Sequence, residues 1–306
     1  MKERSGMHPL LLKDYASLIK LTEPYISPSP IMENNPENII DNLITSLLRE
    51  PDAPADIEIP DDYKAKRNLL RALLNIRAPK PLKDEFFEKM DALLQRELNE
   101  KGIVDVVKLE SIASMFPANP FCQSDKFILW QGDITRLNAD AIVNAANKQM
   151  LGCFQPLHAC IDNAIHSAAG PQLREDCEMI MSVQGELEET GNAKMTRAYN
   201  LPSRYVLHTV GPIVPKGTTL TRQQMEELAS CYISCLELAN EMEDIKTIAF
   251  CAISTGVFGF PKTEAAHIAV KTVNQWLLDH PNHIEKIIFN VFSKEDYKEY
   301  LIVITQ

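Results

Sequence analysis

A chain of 306 residues can bury one large core or two modest ones, and 45% hydrophobic with 24% charged residues excludes intrinsic disorder. The formal charge of −11, with no Lys/Arg-rich run to offset it, repels a phosphate backbone and excludes nucleic acid as the main partner. The opening MKERSGMHPLLLKDY holds only a brief apolar patch from Pro9 to Leu12, too short for a signal-peptide core or a membrane span, so a cytoplasmic location is expected. Seven cysteines, at Cys122, Cys153, Cys160, Cys177, Cys231, Cys235 and Cys251, are odd in number and scattered. In a reducing compartment they are core residues, metal ligands or nucleophiles, not a disulfide framework.

Residues 1–115 read as helical. Ile39, Leu43 and Leu47, then Leu69, Leu70, Leu73 and Leu74, recur at three- and four-residue spacing. Pro28, Pro30, Pro36, Pro51, Pro54, Pro60, Pro79 and Pro81 fall between such runs and mark the joints. The pattern predicts a small all-α unit of about four helices, one of them at 85–97. It holds no cluster of catalytic type and reads as a scaffold or a partner surface.

From Phe127 the pattern changes, and a second unit, 116–306, is expected. The apolar runs FILW, AIVNA, YVLHTV, TIAFCAIS and KIIFNVF alternate with helix-like stretches at 161–169, 222–241, 263–279 and 295–301. Such alternation is the pattern of an α/β sheet covered on both faces by helices. No repeat of period 20 to 50 residues is present, which excludes a solenoid.

Residues 144–170, NAANKQMLGCFQPLHACIDNAIHSAAG, begin at the end of an apolar strand. Ligands of open α/β sheets collect there, so Asn144 and Asn147 stand where a polar small molecule would be read, although asparagines also form turns. Cys153, His158 and Cys160 are donors that zinc prefers. Pro156 blocks a helix, so the run is expected to be extended, with His158 and Cys160 pointing the same way and Cys153 closing from across the loop. Three protein ligands leave one coordination position open, the catalytic pattern, while a chance meeting of two cysteines and a histidine in a core is the alternative. In the helix that follows, Asp162 and His166 share a face. Asp162 is either a first-turn carboxylate favoured by the helix dipole or, so near Cys160, a base for a water at the metal.

A second loop, AISTGVFGFP at 252–261, joins an apolar strand to a helix. Small residues at Ser254, Thr255, Gly256 and Gly259 would expose consecutive amides, with Val257 and Phe258 among them, to a diphosphate. A ligand-free turn has the same composition. Asp133, beside Ile134 in a turn after 127–131, either accepts from an exocyclic amine or shapes that turn. Phe292, at the end of the last apolar strand, either stacks on a base or packs in the core.

Together these segments resemble the macrodomain family, which binds ADP-ribose on a three-layer α/β/α fold with a mixed central sheet. The matching pieces are QGDIT at 131–135, ADAIVNAAN at 139–147, IDNAIHSAAG at 161–170, YNLP at 199–202, YVLHTVGP at 205–212 and ISTGVFGFP at 253–261. The resemblance implies adenine recognition at Asp133 and Ile134, a distal-ribose asparagine at Asn147 and a diphosphate loop at Ser254 to Gly259. It puts Phe258 against the distal ribose, Phe292 on the adenine, and Asp162 at the position of the catalytic aspartate. Hydrolytic macrodomains carry a run of glycines after NAAN; this chain has only Gly152 and then Cys153, His158 and Cys160. That departure is similar to the zinc-containing macrodomains of bacteria and some fungi, which also carry a helical N-terminal extension. Those imply Zn2+ as cofactor, a sirtuin-like ADP-ribosyltransferase as counterpart and a lipoylated carrier of the glycine-cleavage H type as substrate.

The expected activity is zinc-dependent removal of mono-ADP-ribose from acidic side chains, with Asp162 and Asn147 catalytic. The rivals are an ADP-ribose reader without catalysis, a structural zinc with Asp162 acting alone, and an O-acetyl-ADP-ribose deacetylase.

Overall fold

The computed structural model describes residues 10–26 and 35–306; Pro9, Pro28 and Pro30 lie outside them. Five helices precede the sheet among the described residues: α1 (Leu12–Tyr15), α2 (Pro36–Leu48), α3 (Tyr63–Ile76), α4 (Asp84–Lys101) and α5 (Ile112–Met115). Local chemistry sets their starts. Pro36 opens α2, where its missing N–H is harmless, and Asn35 Oδ1 accepts from Glu37 N. Asp62 Oδ1 caps α3 by accepting from Ala65 N at 2.8 Å.

The apolar stripes read from the sequence meet each other. Ile39, Ile40, Leu43, Ile44 and Leu47 of α2 pack on Leu70 and Leu73 of α3 and on Phe86, Met90, Leu93 and Leu94 of α4, in a cluster separate from the sheet's core. α1 joins the other core. Its Leu12 and Tyr15, with Ile19 and Leu21 beyond it, are buried with the sheet residues, and Tyr15 Oη accepts from Met195 N at 2.9 Å.

The sheet has six strands: β1 (Phe127–Gln131), β2 (Ala141–Ala146), β3 (Ala193–Arg197), β4 (Tyr205–Val210), β5 (Thr247–Phe250) and β6 (Lys286–Val291). Their order is β1-β6-β5-β2-β4-β3, parallel throughout except for β3 against β4, so the sheet is mixed as expected. β4 is buried along its whole length, as a strand with covered faces should be. The remaining helices form two groups: α6 (Ile161–Ala169) with α7 (Pro171–Gln184), and α8 (Arg222–Asn240) with α9 (Lys262–Asp279) and α10 (Lys294–Thr305). The three-layer α/β/α architecture follows. Among the described residues no helix is long and apolar enough to cross a membrane.

Two elements were not legible in the pattern. β3, with sequence AKMTR, carries no apolar run, and its Lys194 is buried only because Nζ pairs with the equally buried Glu188 at 2.5 Å. α7 follows Gly170 directly, and its first two turns are dominated by polar and charged residues, Gln172, Arg174, Glu175, Asp176 and Glu178, which interrupt the apolar spacing. The run TIAFCAIS is strand only through Phe250; beyond it the chain turns into a loop.

The five strands β1, β6, β5, β2 and β4 are mutually parallel, so their carboxyl ends share one edge. Asp133 follows β1, Phe292 follows β6, residues 254–259 follow β5 and Asn147 follows β2. At about 4.8 Å per strand, the step from β1 to β2 is about 14 Å. An elongated ligand laid along this edge meets those loops in that order.

Candidate active site

β2 ends at Ala146, and Asn147 turns the chain by accepting from Gln149 N at 2.9 Å. Its Nδ2 donates to Gly152 O at 3.0 Å and reaches Asp162 Oδ2 at 3.4 Å. Asn144 is fully buried and donates to Asp162 Oδ1 at 2.8 Å and to His208 Nδ1 at 3.1 Å. It therefore cannot read a ligand, as the sequence suggested; it holds the carboxylate from below. With its Nδ1 accepting, neutral His208 carries its proton on Nε2, which donates to Thr196 Oγ1 at 2.9 Å.

Asp162 is 5% exposed, and burial pushes its carboxyl up to about 6 against the Asn144 hydrogen bond and the nearby Arg174 charge. His166 Nε2 lies 3.5 Å from Asp162 Oδ1 but makes no hydrogen bond within the described residues. Burial, then His208 and Arg174, hold that imidazole far below its ordinary range, so the two are not an ion pair. The Gly152 backbone rides on the same ring: a Cβ there would sit 3.0 Å from His166 Cγ, and its φ is +82°. Both facts favour glycine.

The donor atoms of Cys153, His158 and Cys160 all lie within 4.8 Å of one another, and the three residues are half-buried. The loop is not extended, however. His158 N donates to Gln155 O at 3.3 Å, with Pro156 second and Leu157 third at φ +56°, the pattern of a type II turn. Cys160 N then donates back to His158 O at 3.0 Å in a three-residue turn. Turns, not strand alternation, bring His158 and Cys160 together. Cys160 also caps α6, its Sγ accepting from Asn163 N at 3.4 Å.

The donor set fits zinc. In a tetrahedral shell with Zn–S near 2.3 Å and Zn–N near 2.0 Å, sulfur and nitrogen stand about 3.5 Å apart. Cys153 Sγ and His158 Nδ1 are 3.5 Å apart. Burial, then Cys153 and Asp162, push the Cys160 thiol up to about 12, so a cation would have to displace its proton.

A second group, His166, Cys177 and His208, also brings three donor atoms within 4.8 Å, fully buried, and the sequence did not single it out. Both nitrogens of His208 already have partners. The group forms the floor beneath Asp162.

Across the edge, the loop after β5 folds as consecutive turns. Thr255 Oγ1 donates to Ala252 O, Gly259 N to Gly256 O and Phe260 N to Ser254 O. The N–H groups of Gly256, Val257 and Phe258 make no hydrogen bond within the described residues, and Val257 is 69% exposed. Ser254 takes φ +63° with its Oγ buried and without a partner among the described residues, a position open only because residue 211 is glycine. Phe258 is half-buried. Asp133 Oδ1 accepts from Thr135 N and Thr135 Oγ1, so the turn-forming role is real, and its hydrogen bonds within the described residues use that oxygen alone. Ile134 is buried, so only its backbone can meet a ligand. Phe292 is 79% exposed, which excludes the core role.

Sequence reasoning missed Arg174. This buried guanidinium lies 4.5 Å from the Phe154 ring centre, and its Nη1 donates to Leu74 O, Asn75 O and Arg77 O at 2.8, 3.1 and 2.6 Å. Its partners are about 100 residues away in sequence, and no local pattern could have announced them.

A three-layer α/β/α fold with an aspartate turn, an amide-lined loop and a buried carboxylate along one sheet edge defines a macrodomain-type site. A profile of the macro domain matches residues 143–269. A "Protein-ADP-ribose hydrolase" of Treponema medium is 48% identical over 84% of this chain and 95% of its own length. A "Probable bifunctional ADP-ribose hydrolase/ADP-ribosyltransferase" of Fusarium oxysporum f. sp. cubense is 42% identical over 77% of this chain and 40% of its own. The crystal structure of a Trypanosoma brucei macrodomain in complex with ADP-ribose matches at TM-score 0.55 and 30% identity, covering 75% of this chain and 93% of that one. The chain belongs to the macro domain family.

Proposed function

We propose that this protein is a zinc-dependent hydrolase that removes mono-ADP-ribose from acidic side chains of modified proteins. One observation carries the reading: three zinc-type donors converge directly before the helix that bears a buried, doubly hydrogen-bonded carboxylate. A reader without catalysis has no need to hold Asp162 in an environment that raises its carboxyl to about 6. The names of the Treponema and Fusarium relatives support hydrolysis of ADP-ribose linkages.

In the reaction, the adenine amine donates to Asp133 while Phe292 stacks on the ring. The amides of Gly256, Val257 and Phe258 hold the diphosphate, and Phe258 packs on the distal ribose. Asn144 and Asn147 fix the two oxygens of Asp162, so its lone pairs are aimed before substrate arrives. Cys153, His158 and Cys160 would hold a zinc ion, which would supply Lewis-acid polarisation at the distal ribose. Asp162 accepts a proton as water oxygen bonds to C1 of the distal ribose. The bond from C1 to the protein carboxylate breaks, the carboxylate leaves with the electron pair, and the proton passes to solvent. The Fusarium relative, whose name joins both activities in one chain, supports an ADP-ribosyltransferase as counterpart, in this reading of sirtuin-like type. A lipoylated carrier of the glycine-cleavage H type is the substrate the family resemblance suggests.

Cys153→Ala, His158→Ala and Cys160→Ala should each slow release of ADP-ribose by more than about 100-fold while ADP-ribose binding changes little. Mass spectrometry of an ADP-ribosylated protein and titration calorimetry read the two quantities. Equal loss of both would overturn the assignment.

A further inference from the structure

The turn that presents His158 is held from outside the macro domain. Leu157, third in that turn, has φ +56°, a region normally left to glycine or asparagine there and disfavoured for leucine by about tenfold in an unconstrained chain. Its side chain is 43% exposed, so packing does not hold it. Its N–H donates to Asn75 Oδ1 at 3.0 Å.

Asn75 is the next-to-last residue of α3, is 3% exposed, and donates through Nδ2 to Ser167 Oγ at 3.3 Å. Arg174 fixes the helix end that carries it: the cation donates to three carbonyls there, where the helix dipole favours positive charge. One turn earlier, Arg71 donates to Asn163 Oδ1 at 3.1 and 2.6 Å, and Asn163 Nδ2 donates to Gln155 O at 3.1 Å. The turn is therefore tied to α3 twice, at its first residue Gln155 through Asn163 and at its third, Leu157, through Asn75.

The geometry points to Asn75 as a positioning residue: the N-terminal helical unit completes the active site by holding Leu157 in its left-handed conformation and so aiming His158 at Cys153 and Cys160. This rests on the reading that the loop takes part in hydrolysis. Strain at a functional site persists only where its surroundings over-determine it, and here the determining group belongs to a helix about 80 residues earlier in the chain.

The test uses full-length, zinc-loaded protein. Asn75→Leu should lower the rate of ADP-ribose release at saturating substrate about tenfold and speed loss of the metal to a chelator by a similar factor, the scale set by one buried hydrogen bond. Binding of ADP-ribose should change less than about twofold. Asn75→Asp, which keeps the acceptor, should retain most of both properties. Adding Leu157→Gly to Asn75→Leu should restore most of the loss, because glycine takes φ +56° without penalty. A residue that merely glues two units together would lower the melting temperature and gain nothing from glycine at 157. If Asn75→Leu does not fold, Asn75→Ser, polar but too short to reach Leu157, carries the same expectations. Wild-type release and metal retention in the folded variant, or no rescue by glycine, overturn the proposal. Cys160→Ala separates the two levels: full activity there overturns the site itself, whereas an inactive Cys160→Ala beside an unaffected Asn75→Leu overturns only the positioning role.

Discussion

An Asp162→Asn variant should lose ADP-ribose release while keeping or gaining stability. Burial raises the carboxyl from 3.8 to about 6, so its ionised form costs the folded state about 3 kcal/mol at pH 8. Asparagine removes that charge. Its Oδ1 can still accept from one of the two flanking amides, but its own NH2 faces the other, at a cost of about 1–3 kcal/mol. The net change at pH 8 is a gain between zero and about 2 kcal/mol, or up to about 4 °C in melting temperature. The folded-state pKa is raised, so the carboxyl's stabilising contribution is complete below 3.8 and is lost as pH rises through 6. The variant's advantage should accordingly disappear by pH 4. Thermal unfolding with a chelator present reads this effect of burial alone. Release of ADP-ribose should fall by about 100- to 10,000-fold, the contribution of a general base. Release within tenfold of wild type would refute the role of Asp162, and a large fall in melting temperature at pH 8 would refute the energetic argument.

Two further substitutions probe other parts of the molecule. Burial pushes Glu175 up to about 7, against Arg77 and helped by Asp176, and its Oε1 is buried without a partner among the described residues. The group stabilises the fold below its unfolded value of 4.5 and loses that contribution as pH rises through 7. The melting temperature of Glu175→Gln minus that of wild type should be near zero below pH 4.5 and grow to a plateau above 7; a flat difference contradicts the account. In Gly211→Ala, the new Cβ would meet Ser254 Oγ at 2.0 Å and Ile253 Cγ2 at 2.9 Å. The displaced loop should weaken ADP-ribose binding by about tenfold or more in calorimetry, and unchanged affinity would show that this loop does not hold the diphosphate.

Much of the sheet was legible because parallel strands buried on both faces must be apolar runs, as YVLHTV and KIIFNV are. The site loops were legible for a related reason: chemistry-bearing residues follow those runs directly, and parallel strands gather their ends on one edge. β3 was hidden because Lys194 is tolerated in the interior only by virtue of Glu188, a pairing visible in three dimensions alone. The same limit applies to Asn144, whose place at a strand end suggested ligand contact although its side chain is buried under Asp162. The conformation of the Cys153–Cys160 loop was misread because Pro156 excludes a helix without distinguishing an extended run from a turn. The N-terminal helices looked like scaffold since Asn75, Arg71 and their partners are about 80 to 90 residues apart and carry no catalytic signature of their own.

Anomalous diffraction from crystals grown with zinc and ADP-ribose tests the central claim most directly. The account predicts a zinc peak about 2.0–2.3 Å from Cys153 Sγ, a ring nitrogen of His158 and Cys160 Sγ, with C1 of the distal ribose between it and Asp162. A peak instead at His166, Cys177 and His208, or a distal ribose lying at the Asp133 end of the edge, would contradict it.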